Sequence, residues 1–147
     1  MFKHILIPTD GSPFSRKAIA EGVKLAGSLG ARVTGLFAAP PATPLIYRDV
    51  LPVGYATPAE HARMIEDSAA RYLGVIERAA KKAGVRFDGV HVTSDFPADV
   101  ILATARKKKC DLIVMATHGH GGLKGMLLGS QTQQVLTRSG IPVLVYH

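Results

Sequence analysis

Apolar residues fall along this chain in two ways. In short runs they are nearly continuous; in longer stretches they recur every three or four positions. The runs, at 3–8, 31–38, 85–94, 111–116 and 143–146, are strand-sized, and four of them alternate too little to have one wet face. Such runs are predicted to be strands of a parallel sheet buried on both sides; the third is weakened by Asp88-Gly89. Between the runs the period is helical. Ser12 is placed as an N-cap and Pro13 as the first helical residue of a segment whose inner face is Ile19, Val23 and Ala26, with Gly30 placed to end it. Thr57-Pro58-Ala59-Glu60 is a capping box that opens a long helix with Ile65, Ala69, Leu73, Ile76, Ala80 and Ala83 inward and Gly84 after it. Pro97 opens a third helix, with Ile101 and Ala105 inward. A fourth spans 131–138, preceded by Ser130 and Gln133 in capping-box spacing and broken by Gly140-Ile141-Pro142. Five strands alternating with four helices predict an α/β fold, a single-domain open parallel sheet with helices on both faces and right-handed crossovers. The pattern alone leaves the strand order open.

Two stretches interrupt this regularity. Residues 40–58 form a connection of unusual length for a compact domain. They carry Pro41, Pro44 and Pro52 among apolar residues such as Leu45, Ile46, Val50 and Tyr55. This is either a loop that folds over a partner or a pocket edge, or an ordinary surface insertion. Residues 115–130 read Met-Ala-Thr-His-Gly-His-Gly-Gly-Leu-Lys-Gly-Met-Leu-Leu-Gly-Ser. They lie between the carboxyl end of a strand and the amino end of a helix, where unpaired N–H groups and the helix dipole favour an anion such as phosphate. Gly119, Gly121, Gly122, Gly125 and Gly129 let backbone amides come close to one. No Gly-Lys-Ser/Thr closes the loop, so it is not a Walker A motif, and it lies too late in the chain for the dinucleotide fingerprint. A flexible connection is the plainer alternative.

Composition narrows the function classes. A chain of 147 residues can build a two-sided core without disulfides or a structural metal. One cysteine, Cys110, excludes an internal disulfide and a multi-cysteine zinc site, and a reducing, cytoplasmic compartment is expected. No run is long enough to cross a membrane, and residues 1–8 lack the features of a signal peptide. The net charge of +7 raises nucleic acid as a partner, but the only basic run, Arg106-Lys107-Lys108-Lys109, has no interleaved aromatics. It reads better as the solvated end of a helix.

With these residues in view, the chain resembles the universal stress protein family. The resemblance runs from Ile5-Leu6-Ile7-Pro8-Thr9-Asp10-Gly11-Ser12 to the terminal Pro142-Val143-Leu144-Val145. Its most specific parts are Asp111-Leu112-Ile113-Val114-Met115, Thr117-His118-Gly119 and Gly129-Ser130. Gly119, nine intervening residues and Gly129-Ser130 match the second half of the family's Gly-x-x-Gly-(x)9-Gly-Ser/Thr loop, while Ala116 stands where the pattern has its first glycine. The resemblance implies a Rossmann-like sheet of order 3-2-1-4-5 that binds ATP at the switch point between strands 1 and 4, with magnesium held mainly by phosphate oxygens and water. By the same resemblance Pro8 and Thr9 would form part of the base pocket, Asp10 would meet the ribose or adenine, and the backbone of Ala38 would read the adenine edge. Met115, Ala116, Gly119, Gly129 and Ser130 would line the path from base to phosphates. His118, Gln131 and Thr132 are further candidates there, His118 as a phosphate contact or metal ligand, with a solvent-facing loop position as its plainer alternative. An Asx turn explains Asp10 equally well, and packing inside the helix explains Thr132. His120 and Lys124 are weaker phosphate candidates.

The function expected is a small cytoplasmic ATP-binding stress-response or signalling protein. The resemblance further implies a homodimer that pairs the edge strand Val143–Tyr146 about a two-fold axis. No nucleophile with its base and no paired carboxylates can be argued, so at most a slow ATPase is expected. The alternative is a nucleotide-free dimeric interaction protein of the same fold, which Ala116 favours.

Overall fold

The computed structural model describes residues 1–41, 57–119 and 128–147. Among the described residues nine elements follow one another: β1 (His4–Thr9), α1 (Pro13–Leu29), β2 (Arg32–Ala39), α2 (Pro58–Lys82), β3 (Phe87–Thr93), α3 (Pro97–Lys107), β4 (Leu112–Ala116), α4 (Ser130–Arg138) and β5 (Val143–Tyr146). The strands form one sheet of order β3-β2-β1-β4-β5, every neighbour parallel. The implied strand order is therefore the observed one, and the predicted elements are all present with boundaries displaced by a residue or two.

The period-two geometry of a strand explains why β1 is apolar throughout. Ile5 and Ile7 point to the face covered by α1 and α2, where they meet Ile19, Val23, Val33, Ile76, Ala80 and Val114. Leu6 points to the other face, against Leu36, Ile113, Met115 and the residues of α3 and α4, including Ile101, Ala105 and Val135. Ile5, Leu6 and Ile7 are fully enclosed, and each such side chain contributes about 2 kcal/mol through burial.

The helix ends follow the sequence cues with two exceptions. Thr57 and Glu60 form the reciprocal capping box of α2, and α1 closes at Gly30 with φ 67°. Ser12 does occupy the N-cap of α1, but its hydroxyl makes no cap bond and is buried without a partner among the described residues. In α4 the cap falls one residue earlier than predicted. Gly129 is the N-cap and makes no side-chain cap bond, and Ser130 is the first helical residue.

At the amino ends of the strands one polar chain interrupts the apolar interior. His4, 4% exposed, has its Nε2 2.7 Å from Thr34 Oγ1, which donates to Asp88 Oδ1 at 2.6 Å. Lys108 Nζ completes the chain at 2.8 Å from Asp88 Oδ2. Because the Thr34 hydroxyl gives its proton to Asp88, it accepts from His4, which fixes the His4 tautomer with its proton on Nε2.

Candidate functional site

The carboxyl ends of β1, β2 and β4 open into a cavity of about 680 Å³. All twelve site residues predicted from the sequence line it, although they come from five separate segments of the chain.

The first wall follows β1, which ends at Pro8 and Thr9. The Thr9 hydroxyl accepts the Gly11 N–H at 3.1 Å and donates to Ser15 Oγ at 3.2 Å. Asp10 Oδ1 accepts the Ser12 N–H at 2.9 Å, which is the predicted Asx turn at the mouth of α1. Across from it, Ala38 ends the lining contributed by β2, beside Phe37, whose ring meets Tyr72 edge-on at 5.2 Å between centroids.

The second wall is built from β4 and α4. Met115 and Ala116 end β4, both buried. Ala116 is in extended backbone, and among the described residues Lys109 alone, besides glycines, has a positive φ. An alanine is therefore unstrained at this position, and its departure from the family's glycine carries no conformational penalty. Thr132 donates its hydroxyl to the Ala116 carbonyl at 2.9 Å, and Gln131 Oε1 accepts the Ala98 N–H at 3.0 Å. The first turn of α4 is thus tied to the end of β4 and the start of α3. Thr132 packs and tethers, as the plainer reading of it had it.

Between the walls the glycines earn their places by contact. A Cβ on Gly119 would overlap the Asp10 carboxylate, and one on Gly129 would lie 3.2 Å from the Thr117 carbonyl oxygen. That carbonyl already accepts the Gly129 N–H at 2.6 Å. His118 Nδ1 lies 3.1 Å from Thr117 Oγ1, and its ring tilts against Phe14 at 5.9 Å. Its Nε2 is buried and has no hydrogen-bond partner among the described residues.

The electrostatics favour an anion at this end of the sheet. The N-termini of α1, α3 and α4 all lie here, and none is capped by its own N-cap side chain. The α4 terminus has no acidic residue in its first turn, and Gly129 to Thr132 at that end line the cavity. The deeper lining is apolar: Pro8, Phe37, Ala38, Ile65, Ile101 and Met115. Among the described residues the ionisable side chains on the cavity are Asp10, His61, Tyr72 and His118, and no group of three potential metal ligands occurs.

A third wall is one that sequence reasoning missed. His61, Met64, Ile65, Ser68 and Tyr72 of α2 line the cavity, and His61 Nε2 lies 2.9 Å from the Pro40 carbonyl oxygen. Their spacing of three and four was the available signal, a second stripe beside the core-facing one. His120, Lys124 and residues 42–56 lie outside the described residues.

Comparison with known proteins agrees with this architecture. The profile described as the Universal stress protein family matches residues 1–147. The universal stress protein MJ0531 of Methanocaldococcus jannaschii is 32% identical over 150 residues, covering 99% of this chain and 82% of that protein. The structure of MJ0577, from the same organism, superposes with a TM-score of 0.81 at 26% identity, covering 99% and 95% of the two chains. A universal stress protein in complex with cAMP has the same fold, with a TM-score of 0.68 at 24% identity over 99% and 97% of the two chains. No helix among the described residues is long and apolar enough to cross a membrane.

Proposed function

This chain belongs to the universal stress protein family, and we propose that within it the protein is an ATP-binding member acting in a cytoplasmic stress response or signalling step. The observation that carries the reading is the N-terminus of α4, which has no N-cap side-chain bond and opens at Gly129 onto the same cavity as Gly119 and His118, whose Nε2 has no partner among the described residues. Backbone amides with no competing side chain, a helix dipole and an imidazole nitrogen are the groups that hold phosphates. The apolar floor of Pro8, Ala38 and Met115 suits a purine, and Asp10, beside Gly119 on the same cavity, would accept from a ribose hydroxyl. The family member bound to cAMP supports an adenine nucleotide as the ligand class. Magnesium would enter on the phosphate oxygens, completing its shell with water. Ser130, at the first turn of α4, adds a hydroxyl and an N–H toward the terminal phosphate.

The proposal extends to assembly. Among the described residues β5 has one sheet neighbour, β4, and no strand on its other edge. Leu144 on it is 37% exposed. An apolar, uncharged edge of this kind pairs readily with a second copy.

Thermal denaturation with and without Mg-ATP tests the binding. At a hundredfold excess over Kd the ligand stabilises by about 2.7 kcal/mol, which raises Tm by roughly 8 °C at this chain length. Gly129→Val, whose side chain would crowd the Thr117 carbonyl and the amides of α4, should melt somewhat below the parent and, measured against its own ligand-free curve, lose the shift. An unchanged parent curve at millimolar Mg-ATP would refute the reading in favour of a nucleotide-free interaction protein.

A further inference from the structure

At the opposite end of the sheet from the cavity, the amino ends of β1, β2 and β3 meet the carboxyl end of α3. A second pocket, about 430 Å³, lies there, lined by His4, Arg32, Arg86, Phe87, Asp88 and Lys107 to Lys109. Five of these residues are cations and one is a carboxylate. The cations come from three separate elements. Arg32 precedes Val33 and Arg86 precedes Phe87, and Val33 pairs with Phe87, so the two arginines enter side by side on adjacent strands. Both lie on the sheet face that α3 covers, as do His4 and Asp88. The lysines approach from above, off the end of α3.

A solvated helix end accounts for the lysines but not for this convergence. The single carboxylate, Asp88, is already engaged by Lys108 and Thr34. Arg32, Arg86, Lys107 and Lys109 form no ion pair among the described residues. Four like charges gathered around one pocket repel one another, and a bound anion removes that cost. Two neighbouring guanidinium forks suit phosphate oxygens bidentately, and the lysines add mobile point charges. The pocket is too small for a folded polymer and lacks a row of stacking aromatics, which separates it from a nucleic-acid surface.

We propose that this pocket is a second, separate ligand site, which takes a compact, multiply charged phosphate on Arg32, Arg86 and the lysines of residues 107–109. It is independent of the nucleotide reading, because no residue is shared between the two cavities.

Inorganic pyrophosphate is the probe. Isotope-edited NMR of the full chain should show saturable shifts at residues 4, 32, 86–88 and 107–109, distinct from any in the first cavity and retained in Gly129→Val. Calorimetry should give binding that weakens as sodium chloride rises. Arg32→Gln/Arg86→Gln alters exposed side chains, should leave the melting curve unchanged, and should lower the affinity at least tenfold. Gly129→Val should bind pyrophosphate as the parent does. Shifts centred on residues 115–119 and 128–132, or no saturable shift at millimolar pyrophosphate, would overturn the proposal. Equal affinity of the double-arginine variant would do the same. The NMR map of the parent decides the matter even where the variant is unstable.

Discussion

Gly119→Ala offers the sharpest test of how the cavity at the carboxyl ends of the strands is built. Gly119 has no positive φ, so alanine is conformationally acceptable there. By restricting the unfolded chain it would stabilise the protein by about 0.5 kcal/mol if nothing stood in the way. The Asp10 carboxylate does stand in the way. To admit the methyl it must rotate, giving up its hydrogen bond from the Ser12 N–H at the mouth of α1. A hydrogen bond to a charged group contributes about 2 kcal/mol. The net expectation is a loss of about 1.5 kcal/mol, or roughly 5 °C in Tm for a chain of this length. The cause can be isolated by a double-mutant cycle in urea. Asp10→Ala alone should cost about 2 kcal/mol through the same bond, and in that background Gly119→Ala should become neutral or slightly stabilising. The expected coupling is therefore about 2 kcal/mol. Additivity within about 0.5 kcal/mol would refute the contact, since independent sites add to that precision.

Three further outcomes are expected. Ala116→Gly should cost about 0.5–1 kcal/mol in stability, because it loosens a strand, and should leave ATP affinity equal or tighter by calorimetry; weaker binding would mean the methyl contacts the nucleotide. Burial, then the charge of Arg32, hold the His4 pKa below its ordinary value of 6.5. The unfolded chain therefore takes up this proton first, and stability should fall as pH drops below about 6.5, down to the folded value, by at most about 1.4 kcal/mol per pH unit for one proton. His4→Gln, which can still donate to Thr34, should flatten that part of a urea-midpoint profile; an identical slope would contradict the assignment. Val145→Lys should convert a dimer to a monomer in sedimentation, and a parent that is monomeric at tens of micromolar, about where weak interfaces still associate, would remove the premise.

What could be read from the sequence depended on whether the signal was local. The capping box at Thr57 and the glycine at 30 are decided within one turn, and both were legible. So were the strands, because a face-to-face sandwich of helices demands unbroken apolar runs such as Ile5-Leu6-Ile7. Thr9, Ala38 and Gly129 lie far apart in the chain, and only the strand order implied by resemblance brought them together. The misplaced cap of α4 has a simple cause. Ser130 and Gln133 have the right spacing, but the Gly129 N–H is already committed to the Thr117 carbonyl, and that turn starts the helix one residue sooner. The α2 wall was missed because its cavity-facing stripe, His61 to Tyr72, adjoins a core stripe of higher hydropathy, which masks it. The basic pocket was hidden for a different reason. Arg32 and Arg86 are isolated charges in the chain, and only strand pairing makes them neighbours.

The chain of hydrogen bonds from His4 through Thr34 to Asp88 also bears on how the sheet finds its alignment during folding. Apolar side chains tolerate many pairings, and a strand as apolar as β1 or β2 could be exchanged for a slipped copy of itself at small cost. A slip of β3 by one residue would turn Asp88 toward the face where Ile5, Val33 and Ile76 pack, and would set Phe87 or Gly89 opposite Thr34. That misalignment strands a carboxylate among hydrocarbon and leaves a buried hydroxyl and imidazole unmatched, which costs several kcal/mol. Three polar residues on three strands therefore act as a combination lock: only one alignment of β1, β2 and β3 satisfies them all.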